Sequence, residues 1–441
     1  MTSMPTLIRT VTRPPILGFS RSKIPNLRWW ILGLLFLVTM LNYVDRQTLS
    51  VLAPFLRDEF HMTNAEYAFV VNAFLVSYTL MQAVSGIMLD RLGTRWGFAV
   101  MFIWWSLASL LHRWARGVRS LALFRFMLGM GEAGNWPGAV KAIAEWFPSR
   151  ERAVATGIFN AGACTGAVLA PPLIAFVTLH LHFGWRDTFF VISAGGLVWL
   201  VFWLALYYKP EQHPAIKSAE MQMLRNDPGY VLGTDAVKIP WAMLIGYREV
   251  WAVIIARFLT DPVWWFYVFW LPEYLKRERG FTLAMIGHLV WIPFLSSDLG
   301  CIVGGWFSDY LVRRNMSTDA ARKIVLALSA VLTVDTLLVF NSEGATVPII
   351  LISVATFGIG SWGTLLLTIP TDLFPSNVVA SVSGLSGFGA GVGGVMFMFL
   401  TGYLLDHFSY KSVLIIASLL HPVGFLTLVA LLPKIRPVKH Y

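Results

Sequence analysis

The sequence is dominated by apolar runs about as long as a membrane is thick. A spanning helix needs roughly 20 mostly apolar residues, and twelve such stretches can be marked along the chain: 29–52, 67–89, 96–114, 119–143, 153–178, 187–208, 248–272, 284–308, 322–340, 346–370, 378–404 and 411–432. The runs do not alternate apolar and polar residues, so barrel strands are excluded. Only 34 Lys+Arg and 24 Asp+Glu serve 441 residues, 13% charged overall. Soluble domains carry about a quarter, so a soluble enzyme is excluded. The expected fold class is an all-α polytopic membrane protein with both termini cytoplasmic.

Charge placement sets the orientation. Lys and Arg gather in the N-terminal tail (Arg9, Arg13, Arg21, Lys23, Arg28), beside Arg91 and Arg95, at Arg150 and Arg152, and around Arg313, Arg314, Arg322 and Lys323. Positive loops stay inside, which puts those segments in the cytoplasm. The net charge of +10 is then topology signal and lipid contact, and no nucleic-acid partner is expected. The tail has four prolines before its apolar run and no prompt cleavage site, so it is not a cleavable signal. Cys164 and Cys301 fall inside spans, where small apolar packing is the ordinary role.

The chain repeats itself. Gly86-x3-Asp90-Arg91-x-Gly93-x-Arg95 follows the second run, and Gly305-x3-Asp309-x4-Arg314 follows the eighth. Phe147-Pro148-Ser149 returns as Phe374-Pro375-Ser376, followed by matching small residues: Gly157, Gly162 and Gly166 against Gly384, Gly389 and Gly393. Segment 209–246 is the long polar stretch between the copies. The expected organisation is a tail (1–28), a six-helix bundle (29–208), a central cytoplasmic loop (209–246), a second bundle (247–432) and a tail (433–441). Parallel repeats of this kind place a binding site between the halves. The glycines allow close helix packing, with plain packing and gating equally open. Asp90 and Asp309 suit capping of a neighbouring helix N-terminus or pairing with an arginine of the other half.

Charges within apolar runs are costly and mark function. The first run carries Tyr43-Val44-Asp45-Arg46, and the fourth carries Arg125 and Glu132. Two acids and two arginines cancel, as a dry site requires. All four are placed in the outer half of the N-terminal bundle. An arginine fork suits a substrate carboxylate, with Asp45 and Glu132 competing for the arginines, so that protonation of an acid frees the fork. An inert ion-pair network between two spans is the alternative. Tyr78 and Gln82 share a face one turn apart. Arg257 and Asp261 are four apart and can simply pair. Asp298 and Asp335 lie within the eighth and ninth runs, and His288 sits near a membrane edge. Trp265 belongs to a run of aromatics suited to ring stacking, and Trp362 stands in a Gly-rich stretch. No nucleotide-binding loop, metal-ligand cluster or nucleophile elbow is present, so no enzyme chemistry, cofactor or metal is expected.

With these residues in view, the Gly-x3-Asp-Arg-x-Gly-x-Arg loop and twelve runs resemble the major facilitator superfamily. Leu41-Asn-Tyr-Val-Asp-Arg46 and Arg125-Phe-x-Leu-Gly-x-Gly-Glu-Ala-Gly-Asn-Trp-Pro137 resemble its anion:cation symporter branch, and Asp261-Pro-Val-Trp-Trp-Phe-Tyr is most similar to bacterial hexuronate (galacturonate/glucuronate) transporters. The resemblance implies proton-coupled uptake of a sugar-acid monoanion by alternating access. It implies that Arg46 holds the carboxylate, that Asp45 and Glu132 carry protons, that Arg125 partners Glu132, and that Tyr43, Tyr78 and Trp362 contact sugar. It further implies a gating role for Gly86, Asp90, Arg91, Gly93, Arg95, Asp309 and Arg314. Gly387–Gly394 stand where galactonate carriers have a substrate-contacting Asn, which argues against galactonate. Rival cargoes are aldonates, glucarate and aromatic acids, and a transporter-like sensor is the rival class. Partners are then the organic anion, H+ and lipid, around a monomer. A single cysteine placed within 209–246 should label only from the cytoplasmic side in sealed vesicles; labelling from outside would invert the topology.

Overall fold

The computed structural model describes residues 23–181, 183–227, 241–281, 285, 289–342, 344 and 346–438. Among them every regular element is a helix. The first group comprises α1 (Leu27–Phe60), α2 (Asn64–Leu92), α3 (Thr94–Leu111), α4 (Val118–Glu132), α5 (Asn135–Trp146), α6 (Arg152–Ala175) and α7 (Trp185–Leu206). Two short helices follow, α8 (Ser218–Arg225) and α9 (Trp241–Leu244). The second group comprises α10 (Arg248–Arg279), α11 (Trp291–Arg313), α12 (Thr318–Val334), α13 (Thr346–Leu373), α14 (Val379–His407) and α15 (Tyr410–Leu431).

Local chemistry sets the ends. Thr63 and Glu66 form a reciprocal cap on α2: the Thr63 hydroxyl accepts from Glu66 N–H at 3.2 Å, and the Glu66 carboxylate accepts from Thr63 N–H at 2.9 Å. Ser317 caps α12 through Ala320 N–H. A single residue joins α2 to α3, and Gly93 fills it at φ 79°, a left-handed angle that suits glycine. Gly280 ends α10 at φ 65° after a basic last turn, which complements the helix dipole.

Nine helices are long and apolar enough to cross a membrane among the described residues. The runs expected at 96–114, 119–143 and 284–308 are not among those nine. The second of these is broken, with α4 and α5 separated by a turn at Ala133 and Gly134. Pro137 lacks the N–H that would bond the Ala133 carbonyl, and that freed oxygen accepts from Ser85 Oγ instead. The start of the third falls partly outside the described residues, as does His288, and its remainder carries Asp298 with three glycines and several serines. Elsewhere α1 and α10 run beyond their apolar stretches, to Phe60 and Arg279.

Within the first group α1 packs on α6, α2 on α4, and α3 on α4 and α7; within the second, α11 packs on α13 and α10 on α14 and α15. Two helix pairs make most of the contact between the groups, α2 with α14 and α6 with α11. Glycines make both contacts. A Cβ on Gly86 would fall on the Ala380 carbonyl, and one on Gly305 on the Ala153 carbonyl. Gly384 similarly abuts Gln82 O, and Gly157 abuts Cys301 O. Backbone thus meets backbone at four places related by the repeat.

Carboxylates lock the same end. Asp90 Oδ2 accepts from Ser381 N–H at 2.7 Å, at the start of α14, and Oδ1 takes Lys141 Nζ at 2.6 Å. Asp309 Oδ2 accepts from Val154 N–H at 2.8 Å, at the start of α6, and Oδ1 takes Arg322 Nη1 at 2.7 Å. Each acid therefore sits at a helix N-terminus in the opposite group, where a negative charge is favoured. The cation that each acid takes comes from its own group, not from the other. Arg91 is exposed, Arg95 lies over the Tyr208 ring, and Arg314 donates to Tyr310 OH. Arg322 also reaches Asp372 at 2.9 Å and the Ser149 carbonyl at 3.1 Å.

The central segment lies against this closed end. Glu220 of α8 accepts from the N–H groups of Leu27 and Arg28, both at 3.1 Å, and so caps α1. Asp227 accepts from the Ser149 N–H and hydroxyl. Past α15, Val438 N–H donates to Leu373 O and Ile435 N–H to Asp319. A Gly86→Val variant should reach the membrane yet fail to seal this end. Native Cys301 should then react with an impermeant maleimide applied from the side of the termini, and transport should fall about fivefold or more for a clash worth ~1–3 kcal/mol. Unchanged Cys301 protection would reject the contact as the seal.

Candidate functional site

Beyond the sealed end a cavity of about 420 Å3 lies between the two groups and reaches toward Asn72, Phe269 and Phe399. All six residues expected to meet substrate line it: Tyr43, Arg46, Tyr78, Gln82, Trp265 and Trp362. Helix rotation explains the set. Tyr43 and Arg46 are three apart on α1, and Tyr78 and Gln82 are four apart on α2, so each pair shares a face.

Arg46 is the chemical centre of the first wall. Its Nε and Nη2 both donate to Glu132 Oε2, at 3.3 and 3.1 Å, and Nη2 also reaches Asn42 Oδ1 at 3.3 Å. Three rings surround the guanidinium: Tyr43 at 4.8 Å, Phe74 at 5.0 Å and Tyr78 at 4.7 Å. Such faces favour a cation. The Glu132 side chain has no exposure, whereas that of Arg46 keeps 16%, so the arginine meets the cavity and the acid stands behind it. Glu132 Oε1 has no hydrogen-bond partner among the described residues.

The other two charges of the set lie elsewhere. Asp45 turns away from the cavity into α3, accepting from Trp105 Nε1 at 2.7 Å and Ser109 Oγ at 2.9 Å. Arg125 is buried, and its Nε and Nη2 find no hydrogen-bond partner among the described residues. Neither Asp45 nor Arg125 lines the cavity. One residue of helix turns the side chain by about 100°, which is why Asp45 and Arg46 face different ways.

The opposite wall holds more than the sequence suggested. Arg257 and Asp261 do pair, at 2.9 and 2.7 Å, but they do so in the cavity wall. Arg257 Nη1 continues to Ser386 Oγ at 3.2 Å. Trp362 is fixed by an Nε1 bond to Thr260 Oγ1 at 2.9 Å. His421 lines the cavity against the Trp362 ring, fully buried, with neither ring nitrogen partnered among the described residues. Its position within an apolar run was the available signal. Cys164 and Cys301 also face the cavity, and Asn160 Nδ2 donates to Cys301 Sγ. Asp298 and Asp335 do not line it, and each keeps at least one buried oxygen without a partner among the described residues.

Residues 35–398 match the sequence profile of the Major Facilitator Superfamily. The chain belongs to that superfamily. It is therefore a polytopic membrane transporter and not an enzyme. It is 30% identical over 410 residues to a hexuronate transporter of Escherichia coli strain K12, covering 92% of this chain and 94% of that one. It is 34% identical over 317 residues to a galacturonate transporter of Dickeya chrysanthemi, covering 71% and 90%. Its fold matches the proton:xylose symporter XylE with a TM-score of 0.73 at 16% identity, covering 93% and 96% of the chains. The transporter FucP in its outward conformation gives 0.70 at 15% identity, covering 92% and 99%.

The Asp45 geometry makes a stability prediction. Trp105→Phe keeps an aromatic ring but removes the indole N–H, one of the two donors to a buried carboxylate, along with some buried volume. An unmade bond to a buried group costs about 1–3 kcal/mol, so the detergent-purified protein should unfold at lower temperature. An unshifted melting curve would show that Asp45 finds another donor.

Proposed function

We propose that the chain imports a sugar-acid monoanion of the hexuronate type together with H+. The proposed route is alternating access through twelve spans of a bacterial inner membrane, with both termini cytoplasmic. The observation that carries this is the Arg46–Glu132 pair: a forked cation at the cavity surface, held by one fully buried acid. Support comes from the relatives, whose names include hexuronate, galacturonate and galactonate.

Arg46 takes the substrate carboxylate as a bidentate anion. Glu132 holds that fork in the empty site, so anion and acid compete. A proton on Glu132 releases the arginine and cancels the charge that the anion brings. This links the two bindings, because a buried unpaired ion costs several kcal/mol. Asp45 serves as the second proton carrier, and Arg125 balances the charge of both acids. Tyr43, Tyr78, Gln82, Trp265 and Trp362 contact the sugar ring and hydroxyls. With the site neutral, the glycine contacts and the Asp90 and Asp309 caps release and the halves rock. In this scheme Gly93, Arg91, Arg95 and Arg314 shape the loops around those caps.

Arg46→Ala should reduce uptake of any carboxylate about 100-fold or more, the loss of two charge-assisted bonds. Normal uptake by that variant would remove the anion seat. Glu132→Gln should still exchange labelled for unlabelled substrate in counterflow while failing to accumulate it under an imposed proton gradient. Accumulation by Glu132→Gln would instead place proton coupling elsewhere.

A further inference from the structure

The polar side chains of the second wall are mostly spent on one another. Arg257 gives Nε and Nη2 to Asp261 and Nη1 to Ser386. Thr260 Oγ1 accepts from Trp362 Nε1 and donates to the Ala256 carbonyl. Cys301 Sγ accepts from Asn160 Nδ2. Among the described residues that line the cavity, Gln82 and His421 alone keep buried side-chain atoms without a hydrogen-bond partner. Gln82 keeps one such atom, Oε1, and is already an expected substrate contact. His421 keeps two, Nδ1 and Nε2.

His421 stands about midway along α15 and is fully buried. The helix is held closely at this point. A Cβ on Gly424, on the next turn, would sit 2.6 Å from Thr260 Cγ2 and 3.5 Å from Trp362 Cζ2. The Trp362 ring meets the imidazole edge to face, with centroids 5.4 Å apart and planes at 77°. Neighbours therefore fix the place of the ring while its nitrogens stay open. A histidine that only fills a core has a nitrogen bonded, as His112 has at the Ala108 carbonyl, because an unmade bond to a buried group is costly. With no acid bonded to it, a charged His421 would be a buried unpaired ion. The ring is therefore neutral, and it offers one N–H and one acceptor nitrogen.

We infer that His421 seats a ring hydroxyl of the sugar, at the end remote from the carboxylate that Arg46 holds. This rests on the sugar-acid reading above. The two residues belong to opposite walls, Arg46 on α1 and His421 on α15, so an anion seated on the first presents its far end to the second. A hydroxyl both donates and accepts, so it bonds the nitrogen that meets it in either tautomer. The Trp362 N–H is spent on Thr260, which leaves its ring to pack against sugar carbons. A deoxy carbon or an aromatic ring would displace water from the imidazole and return no bond. The seat thereby favours polyhydroxylated acids over aromatic and aliphatic ones. The Arg46 fork cannot make that choice, since it fits every carboxylate.

The test uses the full chain in proteoliposomes, with a labelled hexuronate and the series of analogues that each lack one ring hydroxyl. In kcat/KM, wild type should prefer the hexuronate by about tenfold or more over the analogue lacking the hydroxyl that meets His421. His421→Phe should lower hexuronate kcat/KM by about the same factor and leave that analogue within about threefold. The preference then disappears for one hydroxyl and persists for the others, which a loss of folding would not produce. His421→Gln keeps a donor and an acceptor and should retain part of the preference, which preserves the comparison if the Phe variant is poorly folded. The proposal is overturned if the His421 variants lower uptake of the hexuronate and of every analogue alike. It is equally overturned if His421→Phe leaves hexuronate uptake unchanged. Normal hexuronate uptake by Arg46→Ala would instead overturn the carboxylate seat on which the inference rests, and so separates the two failures.

Discussion

A charge without water needs a counter-charge, and that requirement organises the interior of this protein. Arg46 can stand at a cavity inside an apolar bundle because Glu132 lies behind it and three aromatic faces surround it. Arg322 can be fully buried because Asp309 and Asp372 share it. Asp45 is tolerated because an indole N–H and a hydroxyl point at it. Arg125 is the contrast, buried with two nitrogens unpartnered among the described residues. Each compensated group is also a constraint on motion, since moving one helix alone would strand an ion at a cost of several kcal/mol.

The closed end follows a second economy. Where α2 meets α14 and α6 meets α11, glycine removes the side chain and the backbones come together. The two aspartates then use the free N–H groups of helix starts as their ligands. Neither device needs a matched side chain on the far surface. That makes the seal easy to duplicate, and the two copies of the repeat hold it in the same way.

Much of this was legible in the sequence, and the limits have physical causes. Run length marked nine of the expected spans among the described residues, and the repeated Gly and Asp marked the contact between halves, because those properties belong to single residues and their spacing. The six cavity residues came from a charge within a span, a shared helix face, an aromatic run, a Gly-rich stretch and the family resemblance. What spacing leaves open is how each helix is turned toward its neighbours. Asp45 and Arg46 are adjacent, yet one faces α3 and the other the cavity. The partners of Asp90 and Asp309 are Lys141 and Arg322, each on another helix of the same group, while the arginines beside the motif lie elsewhere. Arg257 and Asp261 pair as their spacing suggested, but only the packing of α10 against α14 places them in the wall. The break after Glu132 was visible in Pro137, although apolarity alone concealed it.

The bonds of the central segment sort by which group they hold. Glu220 grips the start of α1, and Asp227 grips the turn before α6, both within the first group. The residues after α15 grip Leu373 and Asp319 within the second. Against these stand the few bonds that cross, such as Arg152 to the Thr371 carbonyl and Arg322 to the Ser149 carbonyl. The linker up to Asp227 is therefore fastened to the first group, while the Ile245 carbonyl takes Trp251 Nε1 of α10 and belongs with the second. Any rocking of the halves leaves these fastenings whole, and the work of opening falls on the two aspartate caps and a short row of arginine–carbonyl clasps.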